Sequence, residues 1–170
     1  MKHEIIGFAI IVLLSACNAT PTAENDERQA ANIAIVDKFR HAFEKSDFKT
    51  VDSLLADNFM GYGPSISDSI TKAEAIGNLK SETSDLYESL NYTFSESYPI
   101  TIKTGAASGD WVANWAFLAI KYKDGRGPVH VWVNATYKIE NGKITRSRTF
   151  YNEADVLRQL GYQMTAAQSK

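Results

Sequence analysis

Arg146 and Arg148 stand two residues apart in a stretch, Lys143 to Tyr151, whose β-branched and aromatic content predicts a strand. Strand alternation puts both guanidiniums on one face. Two such groups side by side suit a carboxylate or phosphate, which they grip through charge-assisted hydrogen bonds. Acid–base chemistry has thinner material. His130 falls in a predicted strand, and His41 sits off the apolar stripe of a predicted helix. Asp57, Asp68 and Asp85 lie at turns or helix ends, where carboxylates commonly cap the chain. No His, Asp and Glu residues show metal-ligand spacing, and no glycine-rich phosphate loop or Gly-x-Ser-x-Gly nucleophile motif occurs. The residues therefore give no reason to expect a metal or a cofactor.

One cysteine, Cys17, is present in 170 residues, which excludes an internal disulfide and a thiolate zinc site. Its surroundings suggest another use. Lys2 precedes an uncharged, largely apolar run from Ile5 to Leu14, too short to span a bilayer. Leu14-Ser15-Ala16-Cys17 then resembles the lipobox of bacterial lipoproteins. That resemblance implies cleavage before Cys17 and a thioether to diacylglycerol. Several acyl chains would then hold the protein to a membrane of the cell envelope, with the domain outside the cytoplasm. The alternative is an ordinary signal peptide, or a core helix, with an incidental cysteine. The resulting division is a signal peptide over 1–16, a polar tether over 17–27, one domain over 28–162 and a tail over 163–170. The formal net charge of −2 carries no basic surplus and argues against nucleic acid as a partner.

The elements that must position these groups follow from periodicity. Ile35, Phe39 and Phe43 recur at helical spacing, with Val36 flanking, and predict a helix over about 27–45. A short helix carries Phe48, Val51, Leu54 and Leu55, and a strand follows from Asn58 to Gly63. Thr71-Lys-Ala-Glu74 is a capping box opening a third helix to about Asp85. Strands are then expected over Leu90–Lys103 with a break at Pro99, Trp111–Lys123, Val129–Glu140 and Lys143–Tyr151. Asn141-Gly142 marks a two-residue hairpin. Asn152 caps a last short helix. Three helices followed by a meander predict an α+β fold with helices on one face of a curved antiparallel sheet.

The Asn-Gly turn also gives a register. Pairing Glu140 with Lys143 sets Ile139 against Ile144, Tyr137 against Arg146, Ala135 against Arg148 and Val133 against Phe150. This mainly apolar face is assigned to the helices and a pocket, so Arg146 and Arg148 are expected to point inward. Tyr62, Asn114 and Tyr137 would add polar groups there, and Ala116 and Leu118 would line it. The competing partner for Arg148 is a helix carboxylate such as Asp37, Glu44 or Asp85, and Arg146 could reach solvent. The opposite face takes Trp132, Asn134, Thr136, Ser147, Thr149 and Tyr151, joined by Trp111, Trp115 and Phe117.

This order of elements resembles the nuclear-transport-factor-2-like superfamily, nearest its SnoaL-like and ketosteroid-isomerase-like branches. The residues that carry the resemblance are Leu54-Leu55-Ala56-Asp57, Gly127-Pro128-Val129, Ile139-Glu140-Asn141-Gly142-Lys143-Ile144, Arg148-Thr-Phe-Tyr-Asn152 and Leu157-Arg-Gln-Leu-Gly161. The resemblance implies a cone: a bent sheet, the cystatin-like α+β barrel, wrapped around helices with a pocket in its concave side. It also implies where a catalytic carboxylate would stand. One branch places it at Gly63 and the other at Ala135, and neither residue moves a proton. The reading therefore leans away from catalysis, toward a membrane-anchored module that binds a small amphipathic or anionic molecule. Two alternatives stand beside it: an isomerase, cyclase or dehydratase with a rearranged base, and a homodimeric interaction module. Family members often pair through the outer sheet face, so Trp111, Trp115, Phe117 and Trp132 are the expected dimer surface.

Overall fold

The computed structural model describes residues 21–163 and Thr165. Cys17, the apolar run and most of the tail lie outside the described residues. Helix α1 spans Pro21–Glu44 and α2 spans Phe48–Leu54. Strands β1 (Leu55–Tyr62) and β2 (Ser69–Thr71) follow, then α3 (Lys72–Ser81), which runs into one π-helical turn at Glu82–Leu86. Strands β3 (Tyr87–Ile102), β4 (Gly109–Tyr122), β5 (Val129–Glu140) and β6 (Lys143–Tyr151) make the meander, and α4 (Glu153–Gln159) closes it. The six strands form one sheet in the order β2-β1-β6-β5-β4-β3. The architecture is α+β as expected, but the sheet is mixed: β1 runs parallel to β6.

Helix α1 begins within the segment expected as tether. Its most buried residues are Val36 and Ala42, while Phe39 and Phe43 are only partly covered because they face a hollow. Asp47 caps α2 by accepting from the Thr50 N–H at 3.1 Å. The capping box of α3 is complete: Glu74 accepts from the Thr71 N–H at 2.8 Å, and the Thr71 hydroxyl accepts from the Glu74 N–H at 3.4 Å.

Pro99 does not break its strand. It pairs in register with Val112 inside an unbroken β3. The physical reason is position: β3 is the sheet's edge, where a missing N–H donor leaves no neighbour unsatisfied. At the far end of the β4–β5 connection, Gly127 has φ +95°, and a Cβ there would lie 2.9 Å from the Ile120 carbonyl oxygen, so only glycine fits.

Two apolar clusters hold the fold. The larger joins the helices to the sheet through Val36, Val51, Leu55, Leu79, Val112 and Ile144. The smaller, Leu90, Leu118, Ile120 and Val131, lies at the other end of the concave face and packs against Val156 of α4. The Gln159 side chain fixes α4 by bonding both the N–H and the carbonyl of His130 at 2.8 Å.

Candidate functional site

Period-two alternation along β4 and β5 separates two faces as the sequence predicts. Asn114, Ala116 and Leu118 pair with Ala135, Val133 and Val131 on the concave side, and Trp115 and Phe117 pair with Asn134 and Trp132 on the convex side. The β5–β6 hairpin starts as expected, with Glu140 opposite Lys143 and Ile139 opposite Ile144. Asn141 and Gly142 both have positive φ, as the two-residue turn requires. The register then slips. Lys138 pairs with Arg146, Tyr137 with Ser147 and Ala135 with Thr149, leaving Thr145 as the extra residue of a bulge.

That one residue exchanges the two faces of β6. Ser147, Thr149 and Tyr151 turn into the hollow, while Arg146, Arg148 and Phe150 turn out. The expectation that Arg146 and Arg148 line the pocket is therefore corrected. Arg148 is exposed, and Arg146 sits 6.0 Å above the Tyr62 ring. Tyr62 shares the outward face, because β1 pairs Tyr62 with Arg148. Of the five expected pocket residues, Asn114 and Tyr137 remain.

The concave side encloses two adjoining lobes of about 370 and 340 Å³. Phe43, Glu82, Tyr92, Val133, Thr149 and Tyr151 border both. The larger lobe continues over the smaller apolar cluster to Tyr87, Tyr122, Val156 and Leu160. The other runs under α1 and α3 to Asn114 and Tyr137. Asn114 is buried, and its amide nitrogen lies 2.8 Å from Ser95 Oγ, 3.1 Å from the Glu96 carbonyl and 3.0 Å from Ser97 Oγ. Tyr137 packs edge-on against Phe39, and burial pushes its phenol up to about 12. Burial likewise raises the phenols of Tyr87, Tyr92, Tyr122 and Tyr151, so all stay neutral hydroxyls at physiological pH.

Both positions expected to hold a general base border the second lobe, and both lack one: Gly63 and Ala135. The space beside Gly63 is taken by Asp68. A Cβ on residue 63 would meet Asp68 Oδ2 at 2.9 Å, and that oxygen accepts from the Ser65 N–H at 3.2 Å. The lobes carry a different acid. Glu82, in the first position of the π-helical turn, borders both and is partly buried, and loss of solvation holds its carboxyl above the usual carboxylate range. No hydrogen bond or ion pair satisfies it among the described residues. Sequence reading missed Glu82 because it stands in what reads as ordinary polar helix. The available signal was the expected helix end at Asp85, just before the long strands.

Arg40 was missed as well. Its Nε is buried without a partner, its guanidinium lies 5.0 Å from the centre of the Tyr92 ring, and Asp37 is 3.6 Å away. It stands behind Tyr92 and borders neither lobe. The other candidates are peripheral. His41 is exposed beside the Asp37 carbonyl, and Asp57 is an exposed partner of Lys72 at 3.3 Å. His130 stacks on Phe117 on the outer face. Among the described residues no group of three His, Cys, Asp or Glu could hold a metal, and no helix is long and apolar enough to cross a membrane.

The outer face exposes Phe94, Trp115, Trp132 and Phe150, with Phe94 and Phe117 both packed against Trp132. Trp111 shares the strand face but not the surface. It is only 6% exposed, and its indole N–H donates to the Ala107 carbonyl at 2.8 Å in the β3–β4 loop. The expected dimer surface therefore loses Trp111 and gains Phe94 and Phe150.

A family model described as the SnoaL-like domain matches residues 36–147. No curated protein is significantly similar in sequence. Among solved structures, an LEH-like epoxide hydrolase from M. tuberculosis is similar at 21% identity and TM-score 0.55, covering 78% of this chain and 91% of that one. A protein with a ketosteroid-isomerase-like fold from Catenulispora acidiphila, solved with trimethylamine, is similar at 18% identity and TM-score 0.61, covering 76% and 93%. A candidate polyketide cyclase from Streptomyces antibioticus is similar at 16% identity and TM-score 0.63, covering 77% and 99%. At these identities the likeness establishes the nuclear-transport-factor-2-like fold.

Proposed function

The chain belongs to the SnoaL-like domain family, and from that premise we propose that it is a lipid-anchored protein of the bacterial envelope that holds a small amphipathic molecule in its concave cavity without transforming it. The observation that carries this reading is the composition of the two lobes. They offer an apolar floor, a set of neutral phenols and hydroxyls, and no acid or base at either position where related enzymes keep one. Ligand sites of this size are mostly apolar with a few placed polar groups. Arginine recognition of an anion is not part of the reading, because Arg146 and Arg148 lie on the other face. The anchor rests on the sequence Leu14-Ser15-Ala16-Cys17.

Native mass spectrometry of the full-length protein extracted from its own membrane tests the binding role. A recurrent small-molecule adduct, lost when Ala135 is replaced by Phe to fill the lobe, is the expected result. Adduct-free protein in every preparation would overturn it. Cys17→Ser should leave an unprocessed or unanchored precursor, and normal membrane partitioning of that variant would remove the anchor.

A second reading is favoured by Glu82. A carboxyl with a raised proton affinity, bordering both lobes among tyrosine hydroxyls, is suitable equipment for a general acid or base. On that reading the protein is an isomerase, cyclase or dehydratase whose base has moved from the strands to the end of α3. Homodimerisation through the outer aromatic face is compatible with either.

A further inference from the structure

The charges bordering the cavity have one sign. Glu82 borders both lobes and Glu153 borders the larger one, and no Lys or Arg borders either. Among the described residues neither carboxylate is within ion-pair distance of a cation. Cations on the neighbouring elements are engaged elsewhere: Lys123 donates to the Ser84 carbonyl, and Arg158 pairs with Asp155 at 3.1 Å. Arg126 is paired with Asp124 at 2.8 Å and lies against the Tyr122 and Tyr162 rings, and Arg40 is screened by the Tyr92 ring. Around Glu82 the lining is aromatic: Tyr87 and Tyr122 meet edge to face at 5.4 Å, and Phe43, Tyr92 and Tyr151 complete the surround. Beyond them lies a purely apolar floor of Leu90, Leu118, Ile120 and Val131.

We propose that the occupant of this cavity is an amphipathic cation, an alkyl or aryl amine whose positive nitrogen sits between the Glu82 carboxylate and the tyrosine rings while its apolar part lies on the Leu90–Ile120 floor. The inference rests on the binding role proposed for the cavity and deepens it to a ligand class. Three physical terms point the same way. A cation supplies the missing counter-charge to a carboxylate that burial disfavours. Aromatic faces attract ammonium groups through their quadrupole. An anion would meet the partly buried Glu82 carboxylate and, at the rim, the exposed Glu153, and a neutral guest would leave Glu82 uncompensated.

The probes are three eight-carbon chains that differ in head group: octyltrimethylammonium, 1-octanol and octanoate, titrated calorimetrically into the full-length protein. The expected order is cation tightest, alcohol weaker and carboxylate weakest. Glu82→Gln should weaken the cation by roughly tenfold, to near the alcohol, and leave the alcohol unchanged. If that variant does not fold, native protein answers the same question. Its affinity for the cation should fall as pH drops through the Glu82 titration, while its affinity for octanol stays level. A preference for octanol, or no effect of Glu82→Gln and of pH, overturns the cation assignment and leaves the binding role standing. A preference for octanoate overturns it in favour of Arg40 opening from behind Tyr92. Failure of all three chains to bind overturns the binding role and this inference together.

Discussion

Tyr137 stands opposite Ser147 across the β5–β6 ladder, one residue later than the hairpin's opening pairs, Glu140 with Lys143 and Ile139 with Ile144, would place it. Thr145 absorbs the difference as a bulge. The bulge sends Ser147, Thr149 and Tyr151 into the cavity and keeps two arginines out of it. Deleting Thr145 removes only the unpaired residue and leaves Lys138 opposite Arg146 and Tyr137 opposite Ser147, so both arginines should stay outward and the variant should lose no more than about 1–2 kcal/mol. Arg146→Gln and Arg148→Gln should each stay within about 1 kcal/mol of the parent, since Arg148 is exposed and Arg146 makes one surface contact with Tyr62. Urea denaturation of the three variants checks both statements. A loss of about 3–5 kcal/mol in the deletion variant would instead show that the arginines had been driven against the buried face.

The sequence carried the elements better than their faces. The capping box at Thr71 and Glu74, the Asn141-Gly142 turn and the division of β4 and β5 into two faces were legible because each depends on local chemistry or period-two alternation. The bulge at Thr145 was not, since Lys-Ile-Thr-Arg-Ser-Arg-Thr alternates equally well in either register. Pro99 misled for a related reason: it breaks a central strand but not an edge strand, and edge position is a property of the whole sheet. The burial of Trp111 depends on the Ala107 carbonyl reaching back from a loop, which no periodicity encodes. Glu82 gains its role only when the π-helical turn and the curved sheet meet around it.

The N-terminus of α3 offers a clean local test. The Thr71 side chain and the Glu74 carboxylate satisfy each other's backbone N–H groups, and hydrogen bonds from the Thr71 N–H and hydroxyl hold the Glu74 carboxyl below its ordinary value. Thr71→Ala removes the hydroxyl and should cost about 1 kcal/mol of global stability, read as a lower urea midpoint with an unchanged slope. The cavity lining should be untouched, so ligand titrations of this variant should match the parent. A variant with parental stability would mean that water caps the helix equally well.

The outer face poses a separate question. Trp132 is 55% exposed and Trp115 48%, with Phe94 and Phe150 beside them, a contiguous apolar surface larger than scattered single residues produce. If two copies meet through it, Trp132 is the expected anchor, because Phe94 and Phe117 buttress its ring. Trp132→Glu should then weaken self-association by about 2 kcal/mol or more, seen as a shift from dimer to monomer in sedimentation equilibrium. A parent that sediments as a monomer at all concentrations would dismiss the dimer outright.

Glu82 ties the cavity to stability through pH. Its folded-state proton affinity lies above that of the unfolded chain, whose glutamate titrates near 4.5, because burial disfavours the charged form. Between the unfolded and folded values the native state binds more protons, so stability falls as pH rises through that window. Above the folded value the cost of the ionised carboxylate is fully present, and below the unfolded value it is absent. Glu82→Gln removes the ionisable group while keeping its shape. The variant should therefore be more stable than the parent at pH 7 and equal to it near pH 4, measured as urea midpoints at the two pH values. An octyltrimethylammonium guest should narrow the gap at pH 7 by stabilising the parent more than the variant. A difference of the same size at both pH values would assign the effect to packing and not to charge.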